Sequence, residues 1–166
     1  MIVQKCCPEC GSLLIEKELD NEGMVPYCNS CKEYRFPMYN VAVSMITIDT
    51  KNNNVLLIQQ YGKKDNILVA GYVNITESLE NAVYRELKEE MNLIPSRIEF
   101  NATKYFPKTN TLMCNFIAYM EDISKLKTNN EIDSFNWFSF IDGLSNIKPD
   151  STAKYFYELF YEKYVK

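Results

Sequence analysis

The sequence predicts an α+β fold, a domain in which strands and helices follow one another in mixed order, preceded by a small zinc ribbon. Three observations carry this. Two CxxC pairs stand near the N-terminus. Short apolar runs bounded by turn residues follow them. Two segments with helical periodicity are set among those runs. The 166 residues are 46% apolar, enough for one domain with a sizeable core and a small appendage.

The ribbon comes first. Cys7, Pro8, Glu9 and Cys10 form one CxxC, and Cys28, Asn29, Ser30 and Cys31 a second, with 17 residues between them. That spacing suits a four-cysteine zinc site, in which four thiolates fill a tetrahedral shell and leave no open position, so the zinc is expected to be structural. Cys6 is one residue out of register with the knuckle that ends at Gly11, and Cys114, in a strand, reads as a small buried hydrophobe. The stretch between the pairs, GSLLIEKELDNEGMVPY, is acidic. This argues against the alternative of a ribbon that grips nucleic acid, and two pairs at metal spacing argue against a redox role. After Phe36 and Pro37 the composition changes to long apolar runs, which divides the chain into a ribbon over 1–37 and a second domain over 38–166.

In that second domain, YNVAVSMITID and NVLLIQQ read as two strands from Tyr39 to Gln60 joined by a turn at Lys51 to Asn54, a hairpin. ILVAGYV is a further short strand. A helix runs from about Ser78 to Met91, with Ser78 as N-cap, Glu80 in the first turn and Asn92 at the left-handed C-terminal position. Strands are expected near Ile98 to Phe106 and Thr111 to Met120, then an Asn-rich loop and a strand around Phe135 to Phe138. A closing helix runs from Ser151 to about Tyr164. Its aromatic residues Tyr155, Phe156, Phe160 and Tyr161 recur at helical spacing, as core or interface packing requires.

The first of these helices carries the chemistry. At about 100° per residue, Leu79, Ala82, Val83, Leu87 and Leu93 fall on one side. Glu86, Glu89 and Glu90 project from that same side, whereas Asn81, Tyr84 and Lys88 occupy the other. A merely solvated charge run would point away from the apolar stripe. Clustered carboxylates near a core repel one another and cost several kcal/mol each without compensation, so a cation must meet them. Arg85 serves one. Hard divalent ions such as Mg²⁺ or Mn²⁺ suit the others, and such ions act together with substrate phosphates.

Gly71, Glu77, Arg85, Glu86, Leu87, Glu89 and Glu90 match the Nudix box, whose pattern is G, five residues, E, seven residues, REUxEExGU. The chain resembles the Nudix hydrolases on this ground. Asn92 stands at the final glycine, a mild change because Asn is the next-best residue for a left-handed helix end. The resemblance implies an α/β/α sandwich with a mixed sheet. It also implies metal ligation by Glu86, Glu89 and Glu90, bracing of the loop and carboxylates by Arg85 and Glu77, and attack on phosphorus by a metal-activated water.

A four-cysteine ribbon before such a domain resembles the NADH pyrophosphatase branch, which cleaves NAD(H) to nicotinamide mononucleotide and AMP and removes NAD caps from RNA. In NNEIDSFNWFSFIDGL, which holds Glu131 and Trp137, this resemblance makes Glu131 a further metal ligand. In DSTAKYFYELF it places Ser151 to Ala153 near the substrate. The branch's SQPW signature is absent, with Thr103, Lys104, Tyr105 and Phe106 in its place, so only Phe106, Pro107, Leu112 and Met113 keep its aromatic and apolar character. Phe36 stands where the branch tends to have tyrosine. Phe36 and Phe106 are candidates for stacking on adenine or, equally, for core packing. The expected activity is cleavage of the pyrophosphate of an NAD(H)-like or ADP-ribose-like dinucleotide with release of AMP, by a homodimer in which the aromatic C-terminal helix is a contact. The rival reading is a non-catalytic nucleotide-sensing or RNA-associated zinc-ribbon regulator.

Composition narrows the rest. No histidine occurs, which removes Ser/His and Cys/His nucleophiles and histidine-ligated metals. The formal net charge of −4 and pI near 5.0 give no overall footprint for duplex nucleic acid. No apolar run reaches the roughly 20 residues of a membrane span and the start lacks a signal peptide's apolar core, so a cytoplasmic location is expected.

Overall fold

The structure is a computed structural model describing residues 4–166. Two compact units can be separated: the chain up to Tyr39 together with Pro107–Asn110, and Asn40–Phe106 together with Thr111–Lys166. The ribbon reading ended the first unit at Pro37 and did not include the short loop 107–110.

The first unit is a three-stranded antiparallel sheet, β1 (Ile15–Leu19), β2 (Gly23–Cys28) and β3 (Glu33–Tyr34), in that order. Asn21 and Gly23, both at positive φ, shape the turn between β1 and β2. The second CxxC forms the turn between β2 and β3, where Lys32 N–H donates to Cys28 O at 2.7 Å. No strand periodicity announces this sheet, because four of the five residues of β1 are exposed and the buried residues of β2, Val25 and Cys28, do not alternate along one face.

The second unit holds the mixed sheet. β4 (Asn40–Asp49), β5 (Asn54–Gln60), β6 (Val69–Tyr72), β7 (Arg97–Phe106), β8 (Thr111–Met120) and β9 (Ile132–Ser139) form it in the order β7-β8-β4-β5-β9, with β6 also on β4. Only β4 and β8 run parallel. The expected hairpin of β4 and β5 is present but short, with Ile48 opposite Val55 and Asp49 opposite Asn54. Beyond those pairs β5 leaves β4, and β6 takes the vacated edge with Ala42–Met45.

Side-chain alternation sorts the sheet into two faces. Val43, Met45, Leu56 and Ile58 pack with Ala82, Val83, Leu87 and Met91 of helix α1 (Leu79–Met91). Ile46, Ile48, Val55 and Leu57 pack with Phe156, Tyr157 and Phe160 of helix α3 (Thr152–Tyr164). The result is the expected α/β/α sandwich. The aromatic spacing of α3 therefore serves the chain's own core. Ser78 and Ser151 cap α1 and α3, accepting from the N–H of Asn81 and Lys154, and Asn92 ends α1 at φ 52°.

Two differences from the sequence reading stand out. The strand expected around Phe135 to Phe138 extends over Ile132–Ser139, paired along β5. After it comes an unexpected helix α2 (Phe140–Asn146), capped by Ser139, whose Oγ accepts from Asp142 N–H and donates to the Asp142 carboxylate. Gly143 lies in its middle, a poor helix former that periodicity reasoning passes over. It is there for packing: a Cβ at Gly143 would lie 2.5 Å from the Tyr157 hydroxyl and 2.7 Å from Val55 Cγ1. Both neighbours are fully buried and the hydroxyl is held by Phe140 O at 3.0 Å. Gly143→Ala is expected to cost about 1–3 kcal/mol by overpacking, read as a lower midpoint in urea denaturation with an unchanged slope.

Candidate active site and metal centres

The carboxylate site starts from β6. Gly71 pairs with Val43, and its missing side chain makes room for Glu86, since a Cβ there would lie 2.0 Å from Glu86 Cδ. Arg85 organises the surroundings. Its guanidinium donates to both oxygens of Glu77 at 2.8 and 2.9 Å, to Tyr72 O at 2.9 Å, to Glu86 Oε1 at 2.6 Å and to Glu89 Oε2 at 3.2 Å. Glu77 also accepts from the Asn74 amide at 3.0 Å, so the loop between β6 and α1 is bound to the helix at both ends. The bidentate Arg85 pair holds the Glu77 carboxyl down at about 2.

Glu90 lies deeper. It is buried among the α1 core residues, and its Oε2 has no hydrogen-bond partner among the described residues. Burial first, and then the charges of Glu86 and Glu131, push its carboxyl up to about 8. An orphaned buried carboxylate oxygen among other carboxylates is a donor set that suits a hard divalent cation. Glu131, in the loop before β9, is exposed and accepts from the Tyr61 hydroxyl at 3.1 Å.

Not every expected residue takes the expected place. The helical projection puts Glu89 on the apolar side with Glu86 and Glu90, yet its side chain is 58% exposed. It sits at the margin of the stripe, where the contact with Arg85 one turn earlier draws it outward. Among the described residues, no three carboxylates bring oxygens within 4.8 Å of one another. Mutual repulsion and the hold of Arg85 on Glu86 and Glu89 account for that. Phe36 and Phe106 are partly exposed rings in different units. Ser151 is engaged as the α3 cap, donating to Lys148 O at 2.7 Å, and Ala153 packs into the core on the α3 face. The sequence reading passed over Tyr61, although Tyr-Gly directly after an apolar strand marks a sharp turn at its end.

The four cysteines do converge. The Sγ atoms of Cys7, Cys10, Cys28 and Cys31 all lie within 4.8 Å of one another, with Cys7 to Cys31 at 3.8 Å and Cys10 to Cys28 at 3.5 Å. A tetrahedral ion with bonds of about 2.3 Å to sulfur needs ligand separations of roughly that size. The Ser12 hydroxyl and backbone, followed by neighbouring thiols, pull the Cys10 thiol down to about 6. Hydrogen bonding to Cys10 and burial push Cys31 up to about 12. Cys6 stays outside the group and Cys114 is buried in β8. Arg35 pairs with Glu9, inside the first CxxC, and with Glu33 at 3.0 Å, linking the two knuckles.

Comparison with known proteins agrees with this geometry. Residues 38–160 match the model of the NUDIX domain. The chain belongs to the NUDIX domain family. It is 26% identical over 146 residues to the NAD-capped RNA hydrolase NudC of Vibrio cholerae, covering 86% of this chain and 51% of that protein. It thus spans about half the length of the curated relatives it matches. Among solved structures, a NUDIX hydrolase from Nitrosomonas europaea superposes with a TM-score of 0.65 at 20% identity, covering 98% of this chain and 93% of that one. The NUDIX domain of Shewanella oneidensis NrtR, solved with ADP ribose, gives 0.64 at 19% identity, over 82% and 93%. Among the described residues of this Nudix protein no helix is long and apolar enough to cross a membrane.

Two measurements follow. In metal-free protein, Glu90 is protonated when folded and ionised when unfolded between its ordinary range and about pH 8. Its contribution to stability is therefore complete at low pH and is lost as pH rises through that window, at up to about 1.4 kcal/mol per pH unit. Chemical denaturation at several pH values in chelator is expected to show this slope for the native chain and not for Glu90→Gln. Separately, Gly71→Ala is expected to displace Glu86, and calorimetric titration should show a divalent-ion affinity about 10-fold weaker or more.

Proposed function

We propose that this chain is a Nudix hydrolase that cleaves the pyrophosphate of a nucleoside diphosphate derivative, an NAD(H)-like or ADP-ribose-like dinucleotide, and releases AMP. The observation that carries the reading is the buried, partnerless oxygen of Glu90 beside Glu86, on a helix whose other face is solvated. Such a group costs several kcal/mol unless a cation completes it. The relative from Vibrio cholerae, named as an NAD-capped RNA hydrolase, supports the dinucleotide class.

In this reading Glu86, Glu89, Glu90 and Glu131 hold Mg²⁺ or Mn²⁺. The bound ion supplies neutralisation of phosphate charge and activation of water. The protein's own part is preorganisation. Arg85 and Glu77 fix the loop and keep Glu86 turned toward the site, and Gly71 lets that carboxylate lie against the sheet. Taken each by itself and by the family resemblance alone, Phe36 or Phe106 would offer a ring for adenine, and Ser151 and Ala153 would contact the substrate. Cys7, Cys10, Cys28 and Cys31 hold a structural Zn²⁺. The working form is a cytoplasmic homodimer, acting on free dinucleotides and on NAD-capped RNA.

The test is AMP release from NADH, NAD, ADP-ribose and diadenosine polyphosphates, and release of nicotinamide mononucleotide from an NAD-capped RNA oligomer to leave a 5′-monophosphate end, each with Mg²⁺ or Mn²⁺. The native chain is expected to prefer one of the dinucleotides, and Glu90→Gln to lose about 10²-fold or more. Absence of pyrophosphate cleavage of every substrate by the native chain would replace this reading with the nucleotide-sensing regulator. Metal analysis is expected to find one zinc per chain, lost in Cys28→Ser.

A further inference from the structure

Asn92 does more than end a helix. Its backbone takes the left-handed turn at φ 52°, which glycine would take at least as easily. Its side chain adds what glycine lacks: Nδ2 donates to Lys125 O at 2.7 Å, and Oδ1 accepts from Lys88 Nζ at 2.6 Å. The loop that starts at Lys125 is then fastened to the end of α1 twice more. Lys127 N–H donates to Met91 O and Asn129 N–H to Glu90 O, each at 3.0 Å. These bonds occupy helix-end carbonyls that have no partner within α1. Asn129 Oδ1 in turn accepts from the Glu131 amide at 2.9 Å. Apart from the Asn92 and Asn129 side chains, every step from the helix end to Glu131 is a backbone one, and the first attachment belongs to Asn92.

From the opposite side comes Tyr61. It follows β5 at φ 57°, a left-handed conformation that is unfavourable for a non-glycine residue, and its ring is 68% exposed. The next amide, Gly62 N–H, is held by the Asp133 carboxylate at 2.6 Å, which fixes the turn against β9. This unfavourable backbone brings the Tyr61 hydroxyl to Glu131 Oε2 at 3.1 Å.

We propose that Asn92 and Tyr61 are positioning residues that together hold Glu131 at the Glu86 and Glu90 carboxylates, Asn92 through the 125–129 loop and Tyr61 through its hydroxyl. The inference rests on the carboxylate-site reading above. An exposed loop carboxylate has rotamer freedom to lose on binding an ion, and fixing it beforehand raises ion affinity. Partners of this outer kind are worth about 10-fold or more in metal affinity when they orient a ligand.

Asn92→Gly and Tyr61→Phe delete the two contacts while leaving the backbone conformations allowed. Binding of Mn²⁺ alone is measured by calorimetry, and AMP release from ADP-ribose or NADH is measured against Mg²⁺ concentration. Each variant is expected to weaken Mn²⁺ binding and raise the half-saturating Mg²⁺ concentration about 10-fold, with a smaller change in rate at saturating metal and KM. A loss of rate with unaltered metal affinity in both would overturn the proposal, as would thermal destabilisation with no metal effect. Two controls separate it from the reading it rests on. If Glu131→Gln leaves Mn²⁺ binding unchanged while Glu90→Gln abolishes it, the site stands and the clamp on Glu131 is wrong. If Glu90→Gln also binds normally, both fail.

Discussion

The fold depends on a constraint at α1: the face of the helix that packs the core also carries Glu86 and Glu90. Uncompensated burial of either would cost several kcal/mol, of the order of a small domain's whole stability. The chain meets this in two different ways. Glu86 is neutralised by Arg85, itself held by Glu77 and Tyr72 O, and lies in the space Gly71 leaves. Among the described residues Glu90 receives no cation, and it is left with a raised pKa and an orphan oxygen. That asymmetry points outward, because the protein completes one carboxylate and not the other.

Sheet topology places this helix where it is needed. β5 pairs with β4 for only two residues and β6 replaces it along the edge, so Gly71 lies beneath α1 while β5 swings toward β9. The swing also carries Tyr61 to the end of β9 where Glu131 begins. On the other side of β4, β8 runs the full length of the strand, and a bulge at Asn101 accommodates the turn of β7. Asn101 donates to Asn115 Oδ1, and Asn115 donates to Ser44. This largely buried link across three strands leaves little freedom for register slip.

Legibility in the sequence followed the physics of each element. α1 could be placed almost to the residue, because its cap, stripe and left-handed end are local and agree. The four cysteines were also legible, since CxxC spacing alone makes the thiols converge. The ribbon strands were not, because a sheet organised around thiols need not bury a face. α2 hid behind Gly143, whose presence reflects the Tyr157 hydroxyl and Val55, both remote in sequence, although Ser139 and Asp142 carried a legible capping signal. Glu89 was misplaced because angle counting knows the axis of a helix but not the pull of one salt bridge. Tyr61 was invisible for a related reason: its partner is 70 residues away, and only strand pairing brings them together.

The two proposed metal sites place opposite demands on their ligands, and the residue types match. Four thiols that already lie within reach of one ion form a closed shell, in which every ligand comes from the protein and none is left for a substrate. Carboxylates that do not converge unaided have the opposite property. Glu86 and Glu90 are set by packing, whereas Glu89 and Glu131 stay at the exposed rim. An ion held by such a set keeps positions open, and phosphate oxygens of a substrate can fill them. The rim carboxylates are also the ones whose placement depends on side-chain contacts rather than on the core. Under the proposed hold on Glu131, changes outside the helix motif, at positions such as 61 and 92, would alter how tightly an ion is held without disturbing the residues that hold it.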